Sequence, residues 1–321
     1  MNHTISRLFA LLLLGVGLFG TMPVSAVVQC TNPTMTALSF DTIDPQSTQK
    51  DVTATFSITC RNDLLLQTRA ATICLSIGQP RQMTSGASTL KFQLFQDPSR
   101  SIIWGSQFDV ANSPPVEFDV YLGPRESQTF PVTLYGRVLS GQTEVIPGSY
   151  SKSFPGNNNA RATVNAPLSP QAPGECNTNP TGSLYFPFTV SANVVKKCTV
   201  SASPLDFGTN PGLLNTAVNA STTLAVQCSN TTPYNVGLDA GQNGGGDIGA
   251  RKMVRGGNSV GYQLYRDTGR TQVWGNTIGT NTVAGTGNGN TQSLTVYGTV
   301  PPQTTPPAGT YNDVVIVTVT Y

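Results

Sequence analysis

The chain has 321 residues, of which 11% are charged, and its 18 basic residues nearly balance its 16 acidic ones. A formal net charge of +2 gives no basic surface of the kind that binds nucleic acid or an anionic membrane. The one histidine is His3, so a chain that has lost its first residues cannot run a Ser-His-Asp or Cys-His mechanism.

The first 26 residues have the three parts of a secretory signal peptide. Arg7 provides the positive start, residues 8–19 form an apolar run, and VSA at 24–26 is a small-residue cleavage site. Because the apolar run is shorter than the roughly 20 residues of a membrane-spanning helix, we expect cleavage and export rather than anchoring. The processed chain then begins near Val27, and its length suits two domains.

Five blocks of sequence recur in the same order in the two halves of the chain. A pair of cysteines 30 residues apart opens each half. Between and after these cysteines, LSFD at 38–41 matches LDFG at 205–208, FQLFQDPSRSIIWG at 92–105 matches YQLYRDTGRTQVWG at 262–275, VTLYGRV at 132–138 matches LTVYGTV at 294–300, and PGSY at 147–150 matches AGTY at 308–311. The chain is therefore predicted to contain two copies of one unit.

The pattern within each copy is typical of β-strands. Residues 52–60, VTATFSITC, alternate between apolar side chains and Thr or Ser, which predicts a strand with one buried face. No segment after the leader keeps apolar residues at helical spacing, and Gly, Pro and Asn separate many short runs. We predict an all-β fold of two tandem antiparallel β-sandwiches, one over residues 27–195 and one over residues 196–321.

The cysteines are even in number, and an exported chain favours disulfide bonds. They are Cys30, Cys60, Cys74, Cys176, Cys198 and Cys228. The repeat predicts that the two pairs spaced 30 residues apart each close one bond. A bond between the remaining Cys74 and Cys176 would hold the loop 154–182 onto the outer face of the first sandwich, and two free buried thiols are the alternative.

The segment SLYFPFTVSANVVKKC at 183–198 decides how the two units relate. Its apolar residues fall at every second position: Leu184, Phe186, Phe188, Val190, Ala192 and Val194. This predicts a strand over 184–195. The second unit has no such strand after its own last one, predicted over 313–321. If 184–195 completes the first sandwich, the second is left with an open apolar groove that another molecule must fill.

The same segment stands directly before Cys198, in the position of an N-terminal extension of the second unit. Before Cys30 the processed chain has only residues 27–29. We therefore expect a subunit that accepts a strand from a neighbour and offers none. Such a subunit fits one end of a polymer built by strand addition.

The blocks YQLYRDTGRTQVWG and LTVYGTVPPQTTPPAGTYNDVVIVTVTY, together with the cysteine pair that opens the second half, resemble the spore coat protein U family. This family supplies subunits of archaic chaperone-usher pili. The resemblance implies an incomplete immunoglobulin-like pilin fold, a periplasmic chaperone, an outer-membrane usher and a donor strand from an adjacent pilin. A two-domain member resembles the tip adhesin of such pili, which lies at the cell surface and attaches cells to abiotic or host surfaces during biofilm formation. It implies neither a cofactor nor an enzymatic activity.

Three apolar segments of the first unit lie in predicted loops, where binding residues are often found. They are Leu64, Leu65 and Leu66, then Pro114, Pro115 and Val116, and then Val145, Ile146 and Pro147. Exposed together, they would form a patch suited to hydrophobic surfaces. The alternative is that these side chains fold back into the core beneath long loops.

Two other functions fit a secreted β-sandwich protein: a lectin-like sugar binder, and a structural spore or cell-surface coat protein. A lectin would be inhibited by sugars as a purified monomer, and a coat protein would not need a chaperone. The glycine-rich stretch at 244–247 reads as an ordinary loop, and we expect no metal site. Trp104 and Trp274, at matching places in the repeat, read as core residues.

Overall fold

The structure, a computed structural model, describes residues 28–35, 37–47, 49–108, 113–167, 174–176 and 180–321. The predicted signal peptide lies outside the described residues. The described residues fold into β-strands and one short 3₁₀ turn, Asn157–Asn159. Among them no helix has the length and apolar character needed to cross a membrane. The predicted all-β fold class is confirmed.

The first unit forms two facing sheets. Its strands are β1 (Val28–Cys30), β2 (Leu38–Ile43), β3 (Lys50–Asn62), β4 (Arg69–Ile77), β5 (Gln82–Ser85), β6 (Ser88–Phe95), β7 (Val116–Leu122), β8 (Ser127–Val138), β9 (Gly148–Phe154), β10 (Ala160–Asn165), β11 (Gly182–Tyr185) and β12 (Phe188–Val194). One sheet has the order β1-β3-β8-β6-β5-β9-β12-β2, and the other has the order β11-β10-β4-β7. The two sheets enclose one apolar core.

The second unit repeats this plan with fewer strands. They are β13 (Cys198–Ala202), β14 (Val218–Cys228), β15 (Pro233–Leu238), β16 (Lys252–Arg255), β17 (Asn258–Gly261), β18 (Gln263–Tyr265), β19 (Val283–Thr286), β20 (Thr291–Val300) and β21 (Val317–Thr320). They form sheets ordered β13-β14-β20-β18 and β19-β15-β21, with β16 and β17 as a separate hairpin. A second, separate apolar core lies between them.

The strands form where apolar side chains alternate. In β3, Phe56, Ile58 and Cys60 are buried and the residues between them are more exposed, so one face of the strand packs on the core. The counterpart of β3 in the second unit is β14, which buries Leu224 and Val226 in the same way. This match reflects the sequence repeat.

Three disulfide bonds join Cys30 to Cys60, Cys74 to Cys176 and Cys198 to Cys228. The repeat predicts the two bonds with 30-residue spacing, and the remaining Cys74 and Cys176 form a bond rather than two free thiols. The bonds with 30-residue spacing link opposite residues of β1 and β3 and of β13 and β14. The bond at Cys74 ties residue 176 to the outer side of β4, and this helps to explain why nearly all of β4 is buried.

A buried arginine stands at the same place in each unit. Arg81 and Arg251 donate to the side-chain oxygens of Gln93 and Gln263 and to the carbonyl of the tryptophan in the same unit. Burial lowers the pKa of both arginines, to about 10 for Arg81. They satisfy carbonyl groups that would otherwise be buried without a partner. The match between the blocks at 92–105 and 262–275 continues back without a gap to these arginines. The sequence repeat therefore already indicates that the two arginines are equivalent.

The two units are joined closely in the chain and by hydrogen bonds. Residues 195–197 connect β12 to β13. Gln46 Nε2 donates to the carbonyl of Gln227 at 2.9 Å, and Asn230 Nδ2 donates to the carbonyl of Glu144 at 2.6 Å. The loop after β8 therefore faces the second unit.

Candidate functional site

The central feature of the first unit is the position of β12. It lies between β9 and β2 in the large sheet, antiparallel to β9 and parallel to β2. Its inward side chains Phe188, Val190, Ala192 and Val194 are all buried. The ring of Phe188 stacks on Phe154 with centroids 4.7 Å apart. β12 thus fills the space between β9 and β2 in the sandwich.

The prediction of one continuous strand over 184–195 is wrong. Residues 182–185 form β11, which pairs with β10 in the small sheet, and the chain then crosses to the large sheet before β12 begins. Pro187 stands at the crossing, where a missing backbone N–H is tolerated. Phe186 is buried at this point and Leu184 is half-buried. The preceding part of the chain makes the opposite change, since β9 lies beside β12 in the large sheet and β10 lies beside β11 in the small sheet.

The second unit has no strand in the place that β12 fills. Residues 205–207 match part of β2 and residues 311–315 match most of β9 by the repeat, yet neither segment is a strand. The predicted last strand, 313–321, is shortened to β21 (Val317–Thr320). In the first unit β2 pairs only with β12, and β9 pairs with β12 along its whole length, so without an equivalent of β12 the matching segments lack these hydrogen bonds.

A groove of about 390 Å³ lies between these two segments. Leu205 and Phe207 line one wall, and Tyr311 and Val315 line the other. Its floor consists of apolar side chains from both sheets of the second unit, among them Leu224 of β14 and Leu238 of β15. We call it the open groove. An apolar groove of this size is typical of a binding site.

The wall formed by 311–315 has an unpaired backbone edge. Asn312 exchanges backbone hydrogen bonds with Val254, and the carbonyl of Val314 accepts from the amide of Gln242. Among the hydrogen bonds of the described residues, the alternate backbone N–H and C=O groups of Tyr311, Asp313 and Val315 have no partner. Because successive residues of an extended segment point their polar groups to opposite sides, these groups face the open groove. An added strand would satisfy them.

The open groove contains one carboxylate, that of Asp313. Tyr262 Oη donates to Asp313 Oδ2 at 2.7 Å, and Asn243 Nδ2 donates to Oδ1 at 2.8 Å. Burial and this hydrogen bond raise the pKa of Tyr262, so its hydroxyl keeps its proton. Gly241 has φ of +71°, and a Cβ there would collide with Asp313 Oδ2. The role of Asp313 is not predictable from the sequence, because a single Asp in a predicted strand gives no signal by itself.

Two of the predicted surface-binding leucines are exposed. Leu65 is 67% exposed and Leu66 is 89% exposed, whereas Leu64 is half-buried. They lie in residues 63–68, which we call the leucine loop. The buried Asn62 holds this loop in place, since its Nδ2 donates to the carbonyls of Gln67 and Gly123 and its Oδ1 accepts from Leu64 N. The role of Asn62 was not predicted.

The other predicted surface residues are largely inside the protein. Val145 is buried in the core, and Ile146 and Pro147 are half-buried. The carbonyl of Ile146 accepts a hydrogen bond from the hydroxyl of Tyr150 at 2.7 Å, so the loop that contains Val145 and Ile146 turns inward. Its prediction as an exposed contact is wrong.

The segment at 114–116 is mixed. Pro114 is exposed, Pro115 is buried, and Val116 is half-buried as the first residue of β7. The carbonyl of Pro114 accepts from the amide of Gly105, which fixes the segment on the side of the sandwich. Pro115 is therefore not a surface-binding residue.

The three segments do not form one patch. The leucine loop follows the end of β3 that pairs Arg61 with Ser127, and Val145 follows the opposite end, where Lys50 pairs with Val138. This ladder spans about 36 Å, since each residue of a strand adds about 3.3 Å. Of the three segments, the leucine loop keeps two exposed apolar side chains, and the segment at 114–116 keeps only Pro114.

Comparison with known proteins places the chain in a family. Residues 18–154 and 184–318 match the Spore Coat Protein U domain, so the chain belongs to this family. The chain is 34% identical to "Protein U" of Myxococcus xanthus over an alignment of 145 residues, which covers 40% of this chain and 80% of the relative. The resemblance predicted from the repeated blocks is confirmed.

The fold is also similar to that of a pilus subunit. It is similar to a chain in the crystal structure of the CsuC-CsuE chaperone-tip adhesion subunit pre-assembly complex from archaic chaperone-usher Csu pili of Acinetobacter baumannii. That match has a TM-score of 0.54 and 15% sequence identity, and it covers 91% of this chain and 100% of the other. The matched proteins are coat and pilus proteins, not enzymes. Within the described residues, no group of three or more His, Cys, Asp or Glu side chains could hold a metal ion.

Proposed function

We propose that this protein is the tip adhesin of an archaic chaperone-usher pilus. Its first domain, residues 27–195, attaches cells to a surface, and its second domain, residues 196–321, joins the protein to the pilus by accepting a strand. The observation that carries this proposal is the contrast between two equivalent grooves. In the first unit β12 fills the groove, and in the second the groove is open with an unpaired backbone edge.

The partners follow from the open groove. An exposed apolar groove beside an unpaired edge promotes aggregation, so a subunit in transit needs a temporary strand. A periplasmic chaperone would provide it, an outer-membrane usher would release it, and an adjacent pilin would replace it. The solved complex with a similar fold contains a chaperone and a tip subunit, which supports this proposal. The protein is then exported and reaches the cell surface at the pilus tip.

Attachment is assigned to the leucine loop. Two neighbouring leucines that are mostly exposed, on a loop fixed by buried Asn62, offer apolar area without a large ordering cost. Many pili per cell would multiply a weak contact into stable attachment in biofilm formation. An abiotic or apolar host surface fits this loop better than a sugar does.

The test is whether the second unit needs a strand from outside. Residues 196–321 expressed alone should aggregate or remain unfolded. The same fragment should be soluble and unfold cooperatively when residues 184–195, with a flexible linker, are fused to its C-terminus. A matched control carries the fused strand with Val190→Asp, which should not rescue it. A stable monomer without any added strand would contradict the proposal.

A structural coat protein is the second candidate, and the similarity to "Protein U" favours it. Such a protein would also have to cover the open groove. The two functions differ in the gene neighbourhood and in location. Chaperone and usher genes beside this gene, and immunogold labelling at fibre ends, would support the adhesin. Labelling spread over the cell or spore surface would support the coat protein.

A further inference from the structure

The two grooves differ in charge at one position of the wall. Tyr150 and Tyr311 match by the repeat, and their hydroxyls make equivalent bonds to the carbonyls of Ile146 and Pro307. Two residues further on, the first unit has Lys152 and the second has Asp313. The side chain of Asp313 lines the open groove.

The second unit contains structure that holds this carboxylate. Residues 239–250, between Leu238 and the buried Arg251, form a longer segment than residues 76–80, their counterpart by the repeat between Leu75 and Arg81. It supplies Asn243, which donates to Asp313, and Gly241, which leaves room for it. Tyr262 replaces Phe92 of the first unit and supplies a further donor. The segment that contains the glycine-rich stretch thus supports one wall of the groove from outside, through Asn243 and Gly241.

The carboxylate has acceptor capacity left over. Its oxygens offer about four acceptor positions in total. Oδ1 accepts from Asn243 Nδ2 and from the amide of Val314, and Oδ2 accepts from Tyr262 Oη. One position on Oδ2 therefore remains for a donor that arrives with the incoming strand.

The register of the first unit shows which incoming residue meets Asp313. There Val190 of β12 is directly opposite Lys152 of β9, and opposite residues of an antiparallel pair have adjacent side chains. Lys152 extends its ammonium over the ring of Phe154, 5.7 Å from the centroid, and leaves room for valine. An incoming strand in the same register places its equivalent residue beside Asp313. A valine there would enclose the free acceptor position without a partner.

We propose that the strand that fills the open groove carries a hydrogen-bond donor, namely Ser, Thr, Asn, Gln or Lys, opposite Asp313, with apolar residues at alternate positions on either side. This inference rests on the proposed function. An acidic residue at this position is excluded by charge repulsion. A strand like β12, with Val190 at this position, can then occupy the second groove when it is fused to the second unit, but it is not the preferred partner.

Four fluorescent peptides test the preference. Each has the sequence of residues 184–195 with leucine in place of Phe186 and Phe188, because Val315 and Leu224 replace the aromatic partners of the first unit. They differ at the position of Val190, which is Val, Thr, Lys or Asp. Binding to the refolded full chain is measured by fluorescence anisotropy. The Lys and Thr peptides should bind at least about tenfold more tightly than the Val peptide, and the Asp peptide should bind most weakly.

Two variants of the full chain provide the control. Asp313→Asn keeps the shape of the side chain and should remove most of the preference for Lys. Asp247→Asn, in the exposed part of the same loop, should leave the preference unchanged. If Asp313→Asn impairs folding, the wild-type chain still gives an answer, because the preference for Lys over Val should shrink at high salt.

The outcomes separate this inference from the proposed function. Equal binding of all four peptides, or a preference for Lys that survives both Asp313→Asn and high salt, would overturn the inference and leave strand acceptance intact. Binding by none of the peptides to a second unit that is stable alone would overturn the proposed function, and the inference with it.

Discussion

The first and second units share core features and differ in the two segments that flank the groove. In each, a tryptophan, a buried arginine and a disulfide stand at matching positions. In the first unit, β2 and β9 are strands because β12 lies between them. In the second, the matching segments carry a similar sequence but have no partner on one side, and they are not strands. Strand formation at these edges therefore depends on a distant segment more than on local sequence.

The comparison also shows what an added strand contributes. In the first unit, β12 and the residue before the crossing add two phenylalanines to the core. Phe186 stacks on Phe56, with centroids 5.6 Å apart, and Phe188 stacks on Phe154. The second unit has Leu224 and Val315 at the places of Phe56 and Phe154, and both line the open groove. An unfilled groove of this kind lacks both the apolar burial and the backbone hydrogen bonds that one strand provides.

The largest effect is expected from a substitution that displaces β12 and so opens the groove of the first unit. Phe188→Asp would place a charge without a partner beside Phe154 and should destabilise the first unit by about 4 kcal/mol or more. Hydrogen exchange of β2 and β9 should then rise toward that of 205–207 and 311–315 in the second unit. Mass spectrometry of the exchanged full chain measures both.

Asn193→Asp is the matched control for this change. It adds the same charge on the exposed side of β12 and should leave exchange in β2 and β9 as it is in the wild type. If Phe188→Asp left exchange in these strands and the protease resistance of the first unit unchanged, then β12 would not be what closes the first groove.

The sequence predicted the larger features because they are repeated or periodic. The β-fold, the pairing of cysteines and the importance of residues 184–195 all follow from alternation and from matching blocks. The crossing at Pro187 was not predictable, because alternation does not show to which sheet a residue belongs. The depth of Val145 and the exposure of Leu65 were equally hidden, since both are apolar loop residues and burial depends on what packs over them.

The polar residues of the site were harder still to predict. Asp313 acquires its role from Tyr262 and Asn243, which come from separate segments of the chain. Asn62 acquires its role from carbonyls on two different loops. Such sets are visible in three dimensions, and a single sequence gives no period or spacing that would connect them.

A second prediction concerns the disulfide bond that the second unit lacks. The counterpart of Cys74 by the repeat is Gly237, and the bond between Cys74 and Cys176 closes a separation of 102 residues. Replacing both cysteines by alanine should cost the first unit about 2–4 kcal/mol. We expect faster hydrogen exchange in β4 of the variant than in the wild type, and unchanged exchange in β15. Equal protection of β4 in the variant and the wild type would show that packing alone holds the covering loop.

A third prediction compares exposed leucines of the two units. Leu65→Ser with Leu66→Ser should lower attachment of piliated cells to hydrophobic plastic, because each change removes up to about 2 kcal/mol of apolar burial at the contact. Leu213→Ser is the control, since this residue of the second unit is 73% exposed and lies away from the leucine loop. Ile146→Ser, by contrast, should disturb folding, because Ile146 packs against the core.

The measurement is the number of adherent cells on plastic and on hydrophilic glass, with the amount of pili held equal by immunoblot. The leucine-loop variant should lose attachment to plastic more than to glass, and the Leu213 variant should behave as the wild type does. Normal attachment of the leucine-loop variant to plastic would remove this loop from the proposed function.

The smallest expected effect concerns the response of the first unit to acid. Asp51 accepts two hydrogen bonds from Arg137, at 2.7 and 2.8 Å, where the second unit has the neutral pair Asn219 and Thr299. The hydrogen bond from Arg137 and the charge of Arg100 outweigh desolvation and lower the pKa of Asp51. A lowered pKa in the folded state means that this stabilisation is present above the ordinary pKa of aspartate, about 3.9, and is lost as the pH falls through the lower folded value. Asp51→Asn with Arg137→Thr installs the pair of the second unit and should flatten the acid side of the stability profile of the first unit slightly, since exposed ion pairs contribute little. Denaturant midpoints between about pH 6 and pH 2.5, followed by protease resistance of the first unit, measure the slope. A wild-type profile no steeper than that of the double variant would show that this ion pair adds nothing that the neutral pair does not.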